Sequence, residues 1–206
     1  MELQIALDRM PAAAALDVVA AVTGDVDWIE VGTSMLKRYG AGFVEQVVAT
    51  AADTPVLVDL KTADDARWEF TMAYVAGARS ATVLGLAPRA TIDIAVAVAE
   101  EHGREVVVDL MGLDEPSRTA LADRLPEHVV LAAHVSKDLQ GDGASPLRQL
   151  GDWASGRAVA VAGGLGAPDV ALLAGRDIRV IVGSAVTASP DPRAAVQDLI
   201  AAAVAR

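Results

Sequence analysis

The sequence contains no cysteine and few aromatic residues, and both features limit the kinds of metal site and core that the protein can have. Without cysteine there is no disulfide and no thiolate metal site, so any metal must be bound by carboxylates or by the three histidines. Aromatic residues make up 3% of the 206 residues, whereas hydrophobic residues as a whole make up 53%. We therefore expect a folded protein with an aliphatic core rather than a disordered chain.

Basic residues are also scarce, with 17 Lys and Arg against 28 Asp and Glu and a net charge of −11. Such a surface repels phosphate backbones, so nucleic acid is not an expected partner, although one local pocket could still bind a small phosphorylated substrate. No uninterrupted apolar run approaches the ~18 residues of a membrane span. The start MELQIALD lacks the basic segment of a signal peptide. We expect no membrane association and a cytoplasmic location.

Eight short runs rich in β-branched residues alternate with eight Ala-rich runs of helical length. The predicted strands are Leu3–Asp8, Asp27–Gly32, Val56–Lys61, Ser80–Gly85, Glu105–Met111, His128–His134, Ala158–Gly164 and Arg179–Ala185. The predicted helices are Pro11–Val22, Ser34–Ala51, Ala66–Ala76, Ala90–His102, Glu115–Arg124, Pro146–Ala154, Pro168–Ala174 and Pro192–Ala205. Nearly continuous apolar strands such as VVVDLM are typical of a parallel sheet covered by helices. The pattern predicts a single-domain (β/α)8 TIM barrel over residues 1–206, with an open doubly wound sheet as the alternative.

Charged and polar side chains collect where the predicted strands end, which is where a barrel of this kind carries its active site. They are Asp8, Glu30, Asp59, Lys61, Asp109 and His134, with Asp64 just beyond the third strand. A buried salt-bridge network that braces the barrel would explain a single charge of this kind. Charge at the same end of five or six strands favours an active site, because a charge in an apolar strand is expensive unless it is paired or binds a metal.

The segment Asp59-x-Lys61-x-x-Asp64 carries the sharpest chemical signal. Residues two apart on a strand point to the same side, so the carboxylate and the ammonium group are expected to face one cavity. Flanking carboxylates keep a lysine charged and aim it at developing negative charge, as on an enolate or enediolate. Asp64 lies past the strand end, and it either folds back or reaches a neighbouring subunit.

Two further pairs indicate ligand binding. Glu30 and Asp59 lie on adjacent strands, where they could bind Mg²⁺ or form a hydrogen-bonded pair without metal. The pairs Gly163-Gly164 and Gly183-Ser184 end the last two strands, which is the usual phosphate position in such barrels, although glycine there is also common in simple turns.

His134, followed by Ser136 and Lys137, ends the sixth strand. A histidine at that position could transfer protons near neutral pH, and a structural histidine is the alternative.

These segments together resemble the orotidine monophosphate decarboxylase superfamily over nearly the whole chain. The resemblance rests on LQIALD, DWIEVGTSMLKRYG, VDLKTAD, AGARSATVLGLAPRATI, VVVDLMG, HVSKDLQ, AVAGG and VIVGSAVTASPDP. Within it, EVGT and DLKT-x-D are specific for the branch that contains 3-hexulose-6-phosphate synthases and 3-keto-L-gulonate-6-phosphate decarboxylases.

The resemblance implies a homodimer of barrels with a bound Mg²⁺ and a sugar-phosphate substrate. It assigns Glu30 and Asp59 to the metal, Lys61 to the enediolate, and Asp64 to the partner's active site. The resemblance also implies catalytic roles for Asp109 and His134, with His134 over the reacting carbons. The implied substrate-binding residues are Asp8, Ser136, Gly163, Gly164, Gly183 and Ser184. The last four of these would surround the phosphate.

Two reactions of this branch share the enediolate. The synthases remove a proton from C1 of D-ribulose 5-phosphate and add formaldehyde to give 3-hexulose 6-phosphate, whereas the decarboxylases lose CO2. Asp109, Ala162 and Ser184 follow the synthase pattern, while Ser136-Lys137 is similar to a Ser-Arg pair of the decarboxylases. We expect the formaldehyde-condensing aldolase, with the decarboxylase as the alternative and a non-catalytic sugar-phosphate-binding barrel as a third hypothesis.

Overall fold

A closed barrel of eight parallel strands forms the centre of the molecule, in a computed structural model that describes residues 1–140 and 144–204. The strands are β1 (Glu2–Leu7), β2 (Trp28–Val31), β3 (Val56–Thr62), β4 (Ser80–Leu84), β5 (Glu105–Asp109), β6 (Val130–His134), β7 (Val159–Ala162) and β8 (Arg179–Val182). Each strand pairs with the next along the chain, and β8 pairs with β1 through the register Gln4↔Ile181. This last pairing confirms the predicted TIM barrel and rules out the open sheet.

Helices surround the barrel and follow each strand except β6, whose connection to β7 has no α-helix among the described residues. They are α1 (Ala12–Val22), α2 (Thr33–Tyr39), α3 (Ala41–Ala51), α4 (Ala66–Val75), α5 (Arg89–His102), α6 (Glu115–Arg124), α7 (Ala167–Leu173), α8 (Ser184–Thr187) and α9 (Pro192–Val204). The last predicted helix agrees with α9 up to Val204, and its predicted end at Ala205 lies outside the described residues. In the part of the chain that the structure describes, no helix is long and apolar enough to cross a bilayer.

Two predicted helices are wrong in detail. The segment Ser34–Ala51 is two helices, because Gly40 between α2 and α3 has φ 71° and ψ −172°, a conformation essentially restricted to glycine. The segment Pro146–Ala154 forms only two short 3₁₀ helices, Pro146–Gln149 and Asp152–Ala154. The backbone of Gly151 separates these two turns, and the Trp153 indole donates to the carbonyl of Gln149 (2.9 Å).

The hydrophobic core has two parts. The larger part lies between the strands and the helices and consists mainly of Val, Leu, Ile and Ala side chains. The smaller part fills the barrel interior with Trp28, Leu57, Val107, Val130, Ala132 and Ala160. Because side chains alternate along each strand, the inward residues that follow these toward the carboxyl ends of the strands reach the opening of the barrel.

An ion cluster around a buried arginine closes the opposite end of the barrel. Arg179 at the start of β8 is 6% exposed and contacts Glu2 (2.8 Å) and Glu105 (2.8 and 2.9 Å). Its guanidinium also lies 4.0 Å from the ring centroid of Trp28. The salt-bridge interpretation that we considered for the strand ends thus applies to the amino-terminal end of the barrel, where four strand starts meet.

Candidate active site

A cavity of about 490 Å³ opens at the carboxyl ends of the strands. All but two of the predicted site residues line it, namely Asp8, Glu30, Asp59, Lys61, His134, Ser136, Gly163, Gly164, Gly183 and Ser184. The exceptions are Asp109 and Asp64. The structure therefore brings these ten residues to one cavity, while their roles in binding and catalysis stay predictions.

Lys61 lies at an irregularity of β3. The pairing of β3 with β4 shifts register between Val58 and Thr62, and Lys61 itself has a positive φ of 49°. Its amide N–H donates to the Thr82 hydroxyl (2.9 Å), and not to a partner of the regular ladder. A non-glycine residue in this backbone region is strained, and such strain is concentrated at functional sites.

The ammonium group of Lys61 is held between two carboxylates. Its Nζ lies 2.9 Å from Asp59 Oδ2 and 2.8 Å from Asp109 Oδ2. Burial by itself would lower the pKa of Lys61, but the charges of Asp59 and Asp109 hold this pKa above its ordinary value. The site therefore presents a fixed positive charge to the cavity.

Two threonines orient the Asp59 carboxylate. The Thr33 hydroxyl donates to Oδ2 (2.7 Å), and the Thr82 hydroxyl donates to Oδ1 (2.8 Å). Neither threonine is among the site residues predicted from the sequence. A signal was present for Thr82, because it is a polar residue in the middle of the apolar strand SATVL.

Asp109 is buried behind the cavity, with 3% of its surface exposed. Its Oδ2 accepts from Lys61 Nζ (2.8 Å) and contacts His134 Nδ1 (2.8 Å), while its Oδ1 accepts from the Met111 amide (2.9 Å). Burial would raise the pKa of Asp109, but the hydrogen bond with His134 and the charge of Lys61 hold it well below its usual range. An ionised carboxylate only accepts hydrogen bonds, so Nδ1 of His134 carries a proton and Nε2 is left for a substrate.

Glu30 is the second cavity carboxylate and is 8% exposed. Its Oε2 accepts a hydrogen bond of 2.6 Å from the side-chain amide of Gln4. Burial, together with the charge of Asp59, raises the pKa of Glu30 to about 7. Gln4 is not among the site residues predicted from the sequence. It is nevertheless the one polar residue within the run Leu3–Leu7, and it lies on the same side of the predicted strand as Asp8.

The donor set suits a hard divalent cation. Among residues 1–140 and 144–204, no three His, Asp or Glu side chains come together as a metal cage. Glu30 and Asp59 nevertheless face one cavity, where burial and the neighbouring charge of Asp59 raise the pKa of Glu30. Mg²⁺ is commonly bound through one or two carboxylates, with water and substrate oxygens as the other ligands, so these two residues fit it.

Asp8 and Asp64 differ in their placement. Asp8 lines the cavity and accepts a hydrogen bond from the Ser34 hydroxyl, which in turn accepts from the Arg9 amide (2.9 Å). Asp64 is exposed, does not line the cavity, and accepts from the Asp65 amide (2.8 Å). The sequence left two alternatives for Asp64, and the structure does not show the one in which Asp64 folds back into its own cavity.

Glycine is required at the end of β7. Gly163 has φ 119°, and a Cβ there would lie 2.6 Å from the carbonyl oxygen of Val135. Gly164 has φ 73°, and both residues line the cavity together with Gly183 and Ser184, which follow the adjacent strand β8. The bare backbone at these positions lets an anion approach closely.

The family of the chain follows from comparison with known proteins. The model of the orotidine 5'-phosphate decarboxylase/HUMPS family matches residues 1–199. The chain belongs to this family. The match covers every strand of the barrel and all the predicted site residues, which confirms the resemblance seen in the sequence.

Several members of the orotidine 5'-phosphate decarboxylase/HUMPS family resemble the chain over its full length. The 3-hexulose-6-phosphate synthase of Mycobacterium gastri is 34% identical, with 98% of this chain and 99% of that protein covered. The crystal structure of 3-hexulose-6-phosphate synthase from Salmonella typhimurium has a TM-score of 0.91 at 33% identity, covering 99% of both chains. A ligand-bound crystal structure of KGPDC from Streptococcus mutans has a TM-score of 0.88 at 25% identity, covering 98% of this chain and 96% of that one.

The curated relatives are carbon–carbon lyases, and this family member is an enzyme of that class. The hypothesis of a non-catalytic binding barrel is therefore set aside.

Proposed function

We propose that the chain is an aldolase that condenses formaldehyde with D-ribulose 5-phosphate to give 3-hexulose 6-phosphate. The observation that carries this proposal is the cavity in which Lys61, His134 and two carboxylates converge, in a chain 32–34% identical to several 3-hexulose-6-phosphate synthases. The geometry favours a reaction in which negative charge develops on a sugar phosphate, because a fixed cation stands beside a potential proton acceptor.

His134 transfers the proton, and Lys61 stabilises the negative charge that develops on the substrate. Nε2 of His134 takes the proton from C1 of the pentulose phosphate, and the charge left on the substrate oxygens is stabilised by Lys61 Nζ. C1 of the resulting enediolate then forms a carbon–carbon bond with formaldehyde, whose oxygen takes a proton to become a hydroxyl. Asp109 does not touch the substrate; it keeps His134 in the tautomer that this transfer needs.

The remaining residues bind and orient the substrate. Glu30 and Asp59 would hold Mg²⁺, which when bound supplies positive charge beside the reacting oxygens. Asp8 and Ser136 would bind sugar hydroxyls, and backbone at Gly163, Gly164, Gly183 and Ser184 would bind the phosphate.

The first experiment is a substrate panel with and without EDTA. We expect hexulose phosphate to form from D-ribulose 5-phosphate and formaldehyde, with loss of activity after chelation and recovery on adding Mg²⁺. The variant Lys61→Ala should lose at least about 10²-fold in kcat, the effect of removing one charge-stabilising donor. Arg193→Ala, on the surface outside the cavity, serves as the control. Retained activity of Lys61→Ala would remove the lysine from the mechanism.

A decarboxylase acting on 3-keto-L-gulonate 6-phosphate is the second candidate. It is favoured by Lys137, which lines the cavity with its Nζ 3.1 Å from Gln140 Oε1 and adds another cation to the site. It is also favoured by the structural similarity to KGPDC at 25% identity. CO2 release from the keto-gulonate phosphate, with no product from formaldehyde, would replace the aldolase by this activity.

We further propose a homodimer in which Asp64 serves the active site of the partner. The exposed position of Asp64 outside its own cavity supports this arrangement. Mixing Lys61→Ala with Asp64→Ala subunits should restore about one quarter of the wild-type activity after exchange, because each mixed twofold dimer contains one intact site. If Asp64 serves its own subunit, mixing restores nothing. If Asp64 serves no active site, Asp64→Ala is fully active before mixing. The cytoplasmic location stays a prediction, which cell fractionation would test.

A further inference from the structure

Gln4 stands out among the residues that fill the barrel. Its side chain is completely buried in the middle of β1, and its register partners are Trp28 on β2 and Ile181 on β8. The Nε2 amide donates to Oε2 of Glu30 at 2.6 Å, and the other end of the amide, Oε1, has no hydrogen-bond partner.

Stability alone does not account for this amide. Burying an amide in an apolar interior is unfavourable unless both ends are hydrogen-bonded, and here only one end is. The neighbouring inward positions of the barrel are apolar, including Trp28 and Leu57, so an aliphatic side chain would fit the surroundings of Gln4. What Gln4 adds is a single directed contact with a cavity carboxylate.

We propose that Gln4 is a positioning residue that fixes Oε2 of Glu30, so that Oε1 alone is presented to a divalent cation. The amide fixes both the rotation of the carboxylate and the number of oxygens free to coordinate. Asp59 is likewise oriented by the hydroxyls of Thr33 and Thr82, in addition to its ion pair with Lys61, so each carboxylate of the pair accepts from at least one neutral donor. This inference rests on the metal site proposed above.

The test measures metal binding directly, with Mn²⁺ as the probe and electron paramagnetic resonance of the free ion as the readout. Gln4→Met keeps the length of the side chain and removes the donor. We expect its Kd for Mn²⁺ to rise about 10- to 100-fold over the wild type, the usual effect of losing a partner behind a metal ligand. A second variant, Gln4→Leu, controls for any effect that is specific to the methionine side chain. Thermal unfolding shows that each variant is folded.

Ser80→Ala is the matched control, because Ser80 is also fully buried in the barrel and its hydroxyl also lacks a partner. It should leave the Kd for Mn²⁺ unchanged. Equal Kd values for the wild type and two folded Gln4 variants would overturn the role of Gln4 while leaving the metal site intact. A wild-type protein that does not bind Mn²⁺ at all would overturn the metal site itself, and the role of Gln4 with it.

Discussion

Asp109 controls two cavity residues although it does not line the cavity. One of its oxygens contacts both Lys61 Nζ and His134 Nδ1, and the other is held by the backbone of Met111. A carboxylate fixed in this way sets the position of a cation and the tautomer of an imidazole at once. Its contribution should therefore appear in the rate of the chemical step rather than in substrate binding.

The variant Asp109→Asn tests this at the residue scale. We expect kcat to fall by about 10²-fold, because the loss of a correctly oriented proton-transfer group costs ~10²–10⁴-fold, while KM for D-ribulose 5-phosphate changes little. Asp198→Asn removes the same charge from an exposed face of α9 and should leave both parameters unchanged. A rise in KM at constant kcat would show that Asp109 acts in binding instead.

The break between α2 and α3 depends on a single glycine. Gly40 has φ 71° and ψ −172°, whereas Gly42, two residues later, lies inside α3. A Cβ at either position would meet open space. An alanine at either site would be free of steric crowding, so the effects of the two substitutions should differ only because the backbone conformations of the two sites differ.

This pair gives a prediction at the scale of one element. Gly40→Ala should lower the free energy of unfolding by about 1–3 kcal/mol, because alanine is strained in that conformation. Gly42→Ala should raise it by about 0.5–1 kcal/mol, since alanine loses less backbone entropy in a helix. Urea denaturation of both variants measures the difference. Similar effects of the two substitutions would contradict the assignment of the helix break to Gly40.

At the scale of the whole molecule, the two ends of the barrel use buried charge differently. At the carboxyl end, the ion pairs of Lys61 border a cavity, and at the amino end, Arg179 joins strand starts with Glu2 and Glu105. Arg179 connects β8 to β1 and β5, so it spans the seam where the barrel closes. Its role is expected to be purely structural.

Arg179→Met should therefore lower the free energy of unfolding by about 1–3 kcal/mol, because it removes charge-assisted hydrogen bonds and leaves Glu105 partly buried without its partner, while Glu2 stays half-exposed. KM and kcat should be unchanged while the protein remains folded, because the cavity lies at the other end. The exposed ion pair of Arg193 with Asp25 provides the comparison, and Arg193→Met should cost about 0–1 kcal/mol. A large loss of activity in folded Arg179→Met would argue against this division between the ends.

The sequence determined the barrel and the location of its site, because strand periodicity and polar strand ends are local properties of the chain. The sequence also placed Asp59 and Lys61 in one cavity. That prediction assumed regular alternation of side chains along β3, which the shifted register of this strand does not follow. The partners Gln4, Thr33 and Thr82 were decided only by the tertiary structure. Their contacts join residues on different strands, and the direction of a hydrogen bond across a barrel depends on register and burial, which no local pattern records.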